Sequence, residues 1–169
     1  MADSALTLII LTPLAGALLV MLAGRWPNLR EAISIGTGLL LVAQIISIAP
    51  SVLDGSALRQ VIATPVPQLP LAFEFEPLGL LFGLIASSLW VITTIYAIGY
   101  MRGHNESNQT RFFVFFAIAI SATMGVALAA NLFTLFVFYE LLTLSTYPLV
   151  THAGTVEARQ GGRVYIGIL

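Results

Sequence analysis

The sequence predicts an all-α, polytopic membrane helix bundle of about five transmembrane helices, and two observations predict it. Of 169 residues, 58% are hydrophobic and 9% are charged. A soluble domain carries roughly 25% charged residues, so this chain lacks the polar surface to stay in water. The length would suit one ordinary soluble domain. Here it is spent on apolar runs of about 20 residues, the length that crosses a hydrocarbon core.

The first run spans 5–23. Its arginines follow it rather than precede it, the wrong polarity for a cleaved signal peptide, so it reads as a retained helix with Pro13 as a kink point. Gly24-Arg25-Trp26-Pro27-Asn28 is a turn with an interfacial tryptophan. A second helix is expected over 31–49, ending before Pro50. Residues 50–76 differ. Asp54-Gly55-Ser56 signals a turn, Leu58–Ala63 suits a short strand, and Pro65, Pro67 and Pro70 exclude helix. Leu69, Leu71, Phe73 and Phe75 then alternate with Pro70, Ala72, Glu74 and Glu76, the pattern of a half-buried strand. A small β-hairpin lying on the membrane surface is the expectation.

A third helix is predicted over 77–101, opening at Pro77. Its Gly79, Gly83 and Ser87 form a small-residue face of the kind that lets helices approach closely in lipid. The polar stretch 102–110 is a loop. As one helix, 111–151 would be about 60 Å long, two crossings rather than one. The break falls at Ala129-Ala130-Asn131, where Asn131 can cap the next helix. Helices over 111–129 and 131–151 result, the former with a second small face of Ser121, Gly125 and Ala129. Near Arg163 a sixth helix begins and the sequence stops at Leu169, which points to a fragment, a truncation or a split product. The chain is taken as one membrane domain, 1–169.

Arginine placement sets the expected orientation. With the N-terminus outside, Arg25, Arg30, Arg102, Arg111, Arg159 and Arg163 fall on the inner side; Arg59 alone, with Asp3, Asp54, Glu74 and Glu76, lies outside. That is a decisive positive-inside bias, and it predicts a multi-pass protein of the cell inner (plasma) membrane with its N-terminus outside.

Composition also limits the chemistry. There is no cysteine, which removes disulfides, iron–sulfur ligation and zinc thiolates. His104 and His152 are too far apart in sequence for a metal site, so neither cofactor nor metal is expected. With a net charge of −1 and no basic stripe, nucleic acid is not an expected partner. Every basic residue is arginine, which stays charged; a titrating cation must be histidine or come from outside this chain.

Glu140 is the most informative residue. It lies midway along 131–151, close to the bilayer centre, where a charge costs at least about 2.5 kcal/mol. Intramembrane carboxylates mark ion and proton routes, though the same group can serve as an interhelical hydrogen-bond partner. At helical spacing its face continues through Thr143, Tyr147 and Thr151, hydroxyls able to line a water path. Such hydroxyls also commonly bond their own helix backbone. Pro148 leaves the Leu144 carbonyl without its usual donor, and His152 stands at the inner mouth as a candidate relay.

The stretch from Asn131-Leu-Phe-Thr-Leu-Phe-Val-Phe-Tyr-Glu140 to Leu-Leu-Thr-Leu-Ser-Thr-Tyr-Pro-Leu-Val150 resembles the antiporter-like subunits shared by respiratory complex I, membrane-bound hydrogenases and Mrp-type sodium/proton antiporters. Phe75-Glu76-Pro77-Leu78-Gly79-Leu80 and Arg111-Phe-Phe-Val-Phe-Phe116 also look like that family, and the wording around Glu140 is most similar to the Mrp D subunit. The resemblance covers the chain but only roughly the first third of a family member. It implies a larger fold of two inverted helical repeats, each with a broken helix. It also implies that Glu140 is the protonatable carboxylate whose partner lysine lies on a later helix, absent here. The implied function is a proton-translocating part of a multisubunit monovalent cation/proton antiporter, a transporter subunit rather than a catalyst on its own. Its implied partners are other membrane subunits, the missing C-terminal portion, the lipid bilayer, protons and sodium. A membrane-arm subunit of a complex I-like NADH:quinone oxidoreductase or hydrogenase is the alternative, as is a truncated product with a structural role.

Overall fold

The computed structural model describes residues 5–55 and 58–168; Asp3, Ser56 and Leu169 lie outside the described residues. Six helices and a hairpin follow in order: α1 (Ala5–Leu22), α2 (Pro27–Leu53), β1 (Leu58–Val66), β2 (Leu69–Phe75), α3 (Pro77–Gly103), α4 (Gln109–Ala127), α5 (Leu132–Val150) and α6 (Val156–Ile168). The first five helices are long and apolar enough to cross a membrane. Exposed apolar residues such as Leu22, Leu78 and Tyr96 cover their outer faces.

Small residues and backbone acceptors set the packing. α1 packs on α2 and α4, α2 on α3, and α4 on α5. Leu6, Ile9, Ile10, Ala17 and Val20 repeat at helical spacing and bury one face of α1. On that face Ser121 Oγ of α4 donates to the Ile10 carbonyl at 2.7 Å. Gln44 Nε2 of α2 donates to Thr12 Oγ1 at 2.9 Å, a polar clasp between neighbouring spans. Gly79 lets α3 lie against the Ala127 carbonyl: a Cβ there would stand 3.0 Å from that oxygen. At Gly125 a Cβ would run into the Phe138 ring of α5. Gly125→Ala is therefore expected to prise α4 from α5 at a cost of about 1–3 kcal/mol. A lowered melting temperature of the purified membrane complex would register it; an unchanged one would mean that Phe138 moves aside freely.

Three elements differ from expectation. α2 starts at Pro27 rather than residue 31 and runs through Pro50 to Leu53. A proline so near a helix end removes a single backbone bond, and the Asp54 amide still reaches the Pro50 carbonyl at 2.9 Å. The sixth helix begins at Val156 rather than near Arg163 because Thr155 caps it, its Oγ1 accepting from the Ala158 amide at 3.1 Å. In the hairpin, β1 runs on to Val66 rather than ending at Ala63. Its turn places Pro67 ahead of Gln68, whose φ of 68° supplies the left-handed step. Register breaks after Val61 and Ala63 let Pro65 sit in β1. β2 then docks on the α4–α5 turn: the Glu74 amide donates to the Leu128 carbonyl at 2.8 Å, and the Ala130 amide to the Ala72 carbonyl at 2.9 Å. Phe73 and Phe75 are each 1% exposed, buried in the main core beneath that junction.

Candidate functional site

The site is built on α5, and its position follows from how the helix is fixed at its start. Asn131 Oδ1 accepts from the Thr134 amide at 2.8 Å, an N-cap, while Asn131 Nδ2 donates to the Pro70 carbonyl at 2.8 Å. Thr134 Oγ1 accepts from the Ala72 amide at 2.9 Å. Strand β2 thus holds both the axial position and the rotation of α5. Phe138 reinforces this, seated on Gly125 and edge-on to Phe73 at 5.3 Å between centroids. Thr134, Phe138 and Ser145 share the inward face.

Glu140 follows Phe138 by two residues, about 200° of helical turn. It is therefore carried to the opposite face, where it is exposed near the middle of α5. Leu132, Phe136 and Leu144 continue that face and are 80%, 58% and 60% exposed. Among the described residues the carboxylate has neither a hydrogen-bond partner nor a salt bridge. The carboxylate stands near the middle of α5 with the exposed side chains of Phe136 and Leu144 one turn to either side.

The hydroxyl stripe divides. Thr151 Oγ1 donates to the Tyr147 carbonyl at 3.0 Å, and Thr146 Oγ1 to the Thr143 carbonyl at 2.9 Å, so both fold back on their own helix. Tyr147 and Thr151 lie under α6, which approaches closely because Gly162 is buried against them. The Tyr165 hydroxyl of α6 meets Thr146 Oγ1 at 2.7 Å. Thr143 is half-buried, between the open carboxylate and this covered end.

His152 closes the stripe. Its ring stands edge-on to Phe112 at 5.6 Å, and Arg111 Nη2 donates to its carbonyl at 3.2 Å. Both ring nitrogens are shielded and have no partner among the described residues. Burial first, then the nearby Arg111 charge, hold this imidazole below its ordinary pKa, with Glu106 opposing. A histidine kept neutral stabilises the fold above its unfolded pKa of about 6.5 and loses that contribution as pH falls below it. The 151–155 segment is expected to loosen below pH about 6.5. Hydrogen exchange of that segment measured against pH should show this, and His152→Phe should flatten the dependence.

Sequence reasoning missed a second polar centre. At the arginine-bearing end, Glu31 Oε2 accepts from Arg102 Nη2 at 2.6 Å and Oε1 from Arg102 Nε at 2.9 Å. Arg30 is 4% exposed; it donates to Gln109 Oε1 at 2.8 Å and Thr110 Oγ1 at 3.1 Å, lies 3.4 Å from Glu31 and covers the Phe113 ring. The adjacent Arg30-Glu31 pair at a helix start was the available signal. His104, by contrast, is exposed and stacks on Tyr100 at the end of α3.

Several known proteins are similar to this chain. The A/B-type component of a probable K(+)/H(+) antiporter from Rhizobium meliloti is 31% identical over 99% of this chain, which spans 17% of that protein. The putative antiporter subunit mnhD2 of Staphylococcus epidermidis is 26% identical over 98% of this chain and 33% of its own length. A chloroplastic NAD(P)H-quinone oxidoreductase subunit 5 of Chara vulgaris is 33% identical over 48% of this chain and 12% of its own length. The chain is a homologue of antiporter-like membrane subunits. It spans a third or less of each of these relatives. Its fold is also that of part of an archaeal respiratory complex, the membrane-bound sulfane sulfur reductase, with TM-score 0.73 and 20% identity over 87% of this chain and 23% of that one. No protein-family profile matches the chain. Its five long apolar helices and these homologues make it a multi-pass membrane protein, and the homologues are subunits of multisubunit membrane complexes.

Proposed function

We propose that this chain forms part of the proton-translocating unit of a monovalent cation/proton antiporter complex, with Glu140 as the group that takes up and releases the proton. The observation that carries the reading is a carboxylate halfway along an apolar span, turned away from its own bundle toward a face uncovered in this chain. A further membrane helix, of the same polypeptide or of a neighbouring subunit, supplies the cation that faces it. Approach of that cation favours the ionised carboxylate and releases the proton; its withdrawal favours uptake. Thr143, Tyr147, Thr151 and His152 lead from Glu140 toward the arginine-bearing end and would carry water and protons there. That end faces the cytoplasm of a cell inner membrane, which puts the N-terminus outside. The likeness to an oxidoreductase subunit 5 supports a second reading, the same proton step driven by redox chemistry in other subunits.

The test is cation/proton exchange in inverted vesicles carrying the whole complex with Glu140 or with Glu140→Gln. Loss of exchange in an assembled complex supports the reading; undiminished exchange reduces Glu140 to a packing residue.

A further inference from the structure

At the arginine-bearing end, two surface recesses meet along the start of α2. One is apolar and runs along Trp26, Pro27, Asn28 and Leu29. The other is polar and is bounded by Pro27, Asn28, Arg102, Asn105 and Gln109. They share Pro27 and Asn28, so a single molecule with a polar head and an apolar body could occupy both.

We propose that this double recess binds an anionic phospholipid, its phosphate against Arg102, Asn28 and Asn105 and its glycerol and upper acyl region along Trp26 and Leu29. Three observations support this choice. First, the charges do not balance: Glu31 is the single carboxylate paired with Arg30 and Arg102. Arg102 spends Nε and Nη2 on Glu31 and Asn28, which leaves Nη1 without a partner among the described residues; its side chain is 48% exposed. Arg25, one residue before Trp26, is exposed as well. Second, the recess lies at the first turn of the 27-residue α2, where backbone N–H groups lack helical acceptors and the dipole favours an anion; no acidic residue occupies that turn. Third, Trp26 and Leu29 are 62% and 49% exposed at the start of the apolar helix α2, and tryptophans at the ends of such helices favour the headgroup level of a bilayer. Basic pockets between spanning helices at a headgroup surface suit phosphate-bearing lipids. The zwitterionic lipids share the apolar fit but bring no net charge to the surplus guanidinium.

The experiment uses the whole complex in membranes doped with photoreactive phosphatidylglycerol or photoreactive phosphatidylcholine, followed by peptide mapping. Labelling of residues 25–30 and 102–109 should be roughly tenfold stronger with the anionic lipid, the scale of one charge-assisted hydrogen bond. Asn105→Asp should reduce it to the phosphatidylcholine level. Asn105 already has φ 50°, a conformation aspartate tolerates, and its side chain holds no other residue in place, so the fold is kept. Trp26→Ala removes the apolar wall instead and should weaken labelling by both lipids. Equal labelling by the two lipids, or none lost in Asn105→Asp, overturns the proposal. So does loss of labelling to inorganic phosphate but not to chloride of equal ionic strength, which would make this a site for free phosphate. A protein cross-link occupying the recess in place of lipid also overturns it.

Discussion

Glu140→Gln is expected to abolish cation-coupled proton movement while leaving the bundle as stable as before. Both halves of that expectation come from the same geometry. Glutamine keeps the shape and some hydrogen-bonding capacity of glutamate but has no proton to release. The side chain projects from α5 on the face opposite Phe138 and makes no polar contact among the described residues, so nothing within this chain is lost. Glu140→Asp keeps the acid but withdraws it by one methylene, and should leave exchange reduced rather than absent. A carboxylate that merely held a neighbouring helix would behave differently. Glutamine would then preserve exchange, and any damage would appear as a lower melting temperature of the complex. Measuring exchange and melting on the same preparations separates the two roles.

Glu31→Ala is expected to destabilise the assembled protein by about 3–5 kcal/mol, because it leaves the Arg30 guanidinium buried beside no carboxylate. Arg30 cannot escape the cost by losing its proton. Its remaining partners, Gln109 Oε1 and Thr110 Oγ1, are neutral. The same substitution also removes both Glu31–Arg102 bonds between α2 and α3 and leaves Arg102 held to α2 through Asn28 Oδ1. Replacing Arg30 and Glu31 together by apolar residues of similar size should recover much of the loss, since neither charge is then stranded. Thermal unfolding of the complex reads both results. A single variant as stable as the parent would mean that water reaches Arg30 and that the pair is not effectively buried.

Much of the fold was legible because lipid makes sequence unusually explicit. Each span needs its own run of apolar residues, and each backbone group in it must be satisfied within a helix. The break at Asn131 was readable because a single side chain performs the capping. The end of α2 and the start of α6 were less so. A proline near a helix terminus and a threonine cap on a polar segment compete with stronger signals nearby. The docking of β2 was not readable, since the alternating Phe73 and Phe75 specify a buried face but not what buries it.

The sequence by itself determined the class of the protein, the five apolar spans, the hairpin, and a lone carboxylate at mid-span, because these depend on composition and on spacing along one chain. It could not show which way Glu140 turns. That was decided by tertiary contacts: Asn131 and Thr134 pinned to β2, and Phe138 seated on Gly125, rotate α5 until the carboxylate leaves its own bundle. Nor could it join Glu31 to Arg102, residues 71 apart whose meeting depends on how α2 and α3 pack. Periodicity fixes the faces of a helix relative to one another; only its neighbours fix which face looks inward.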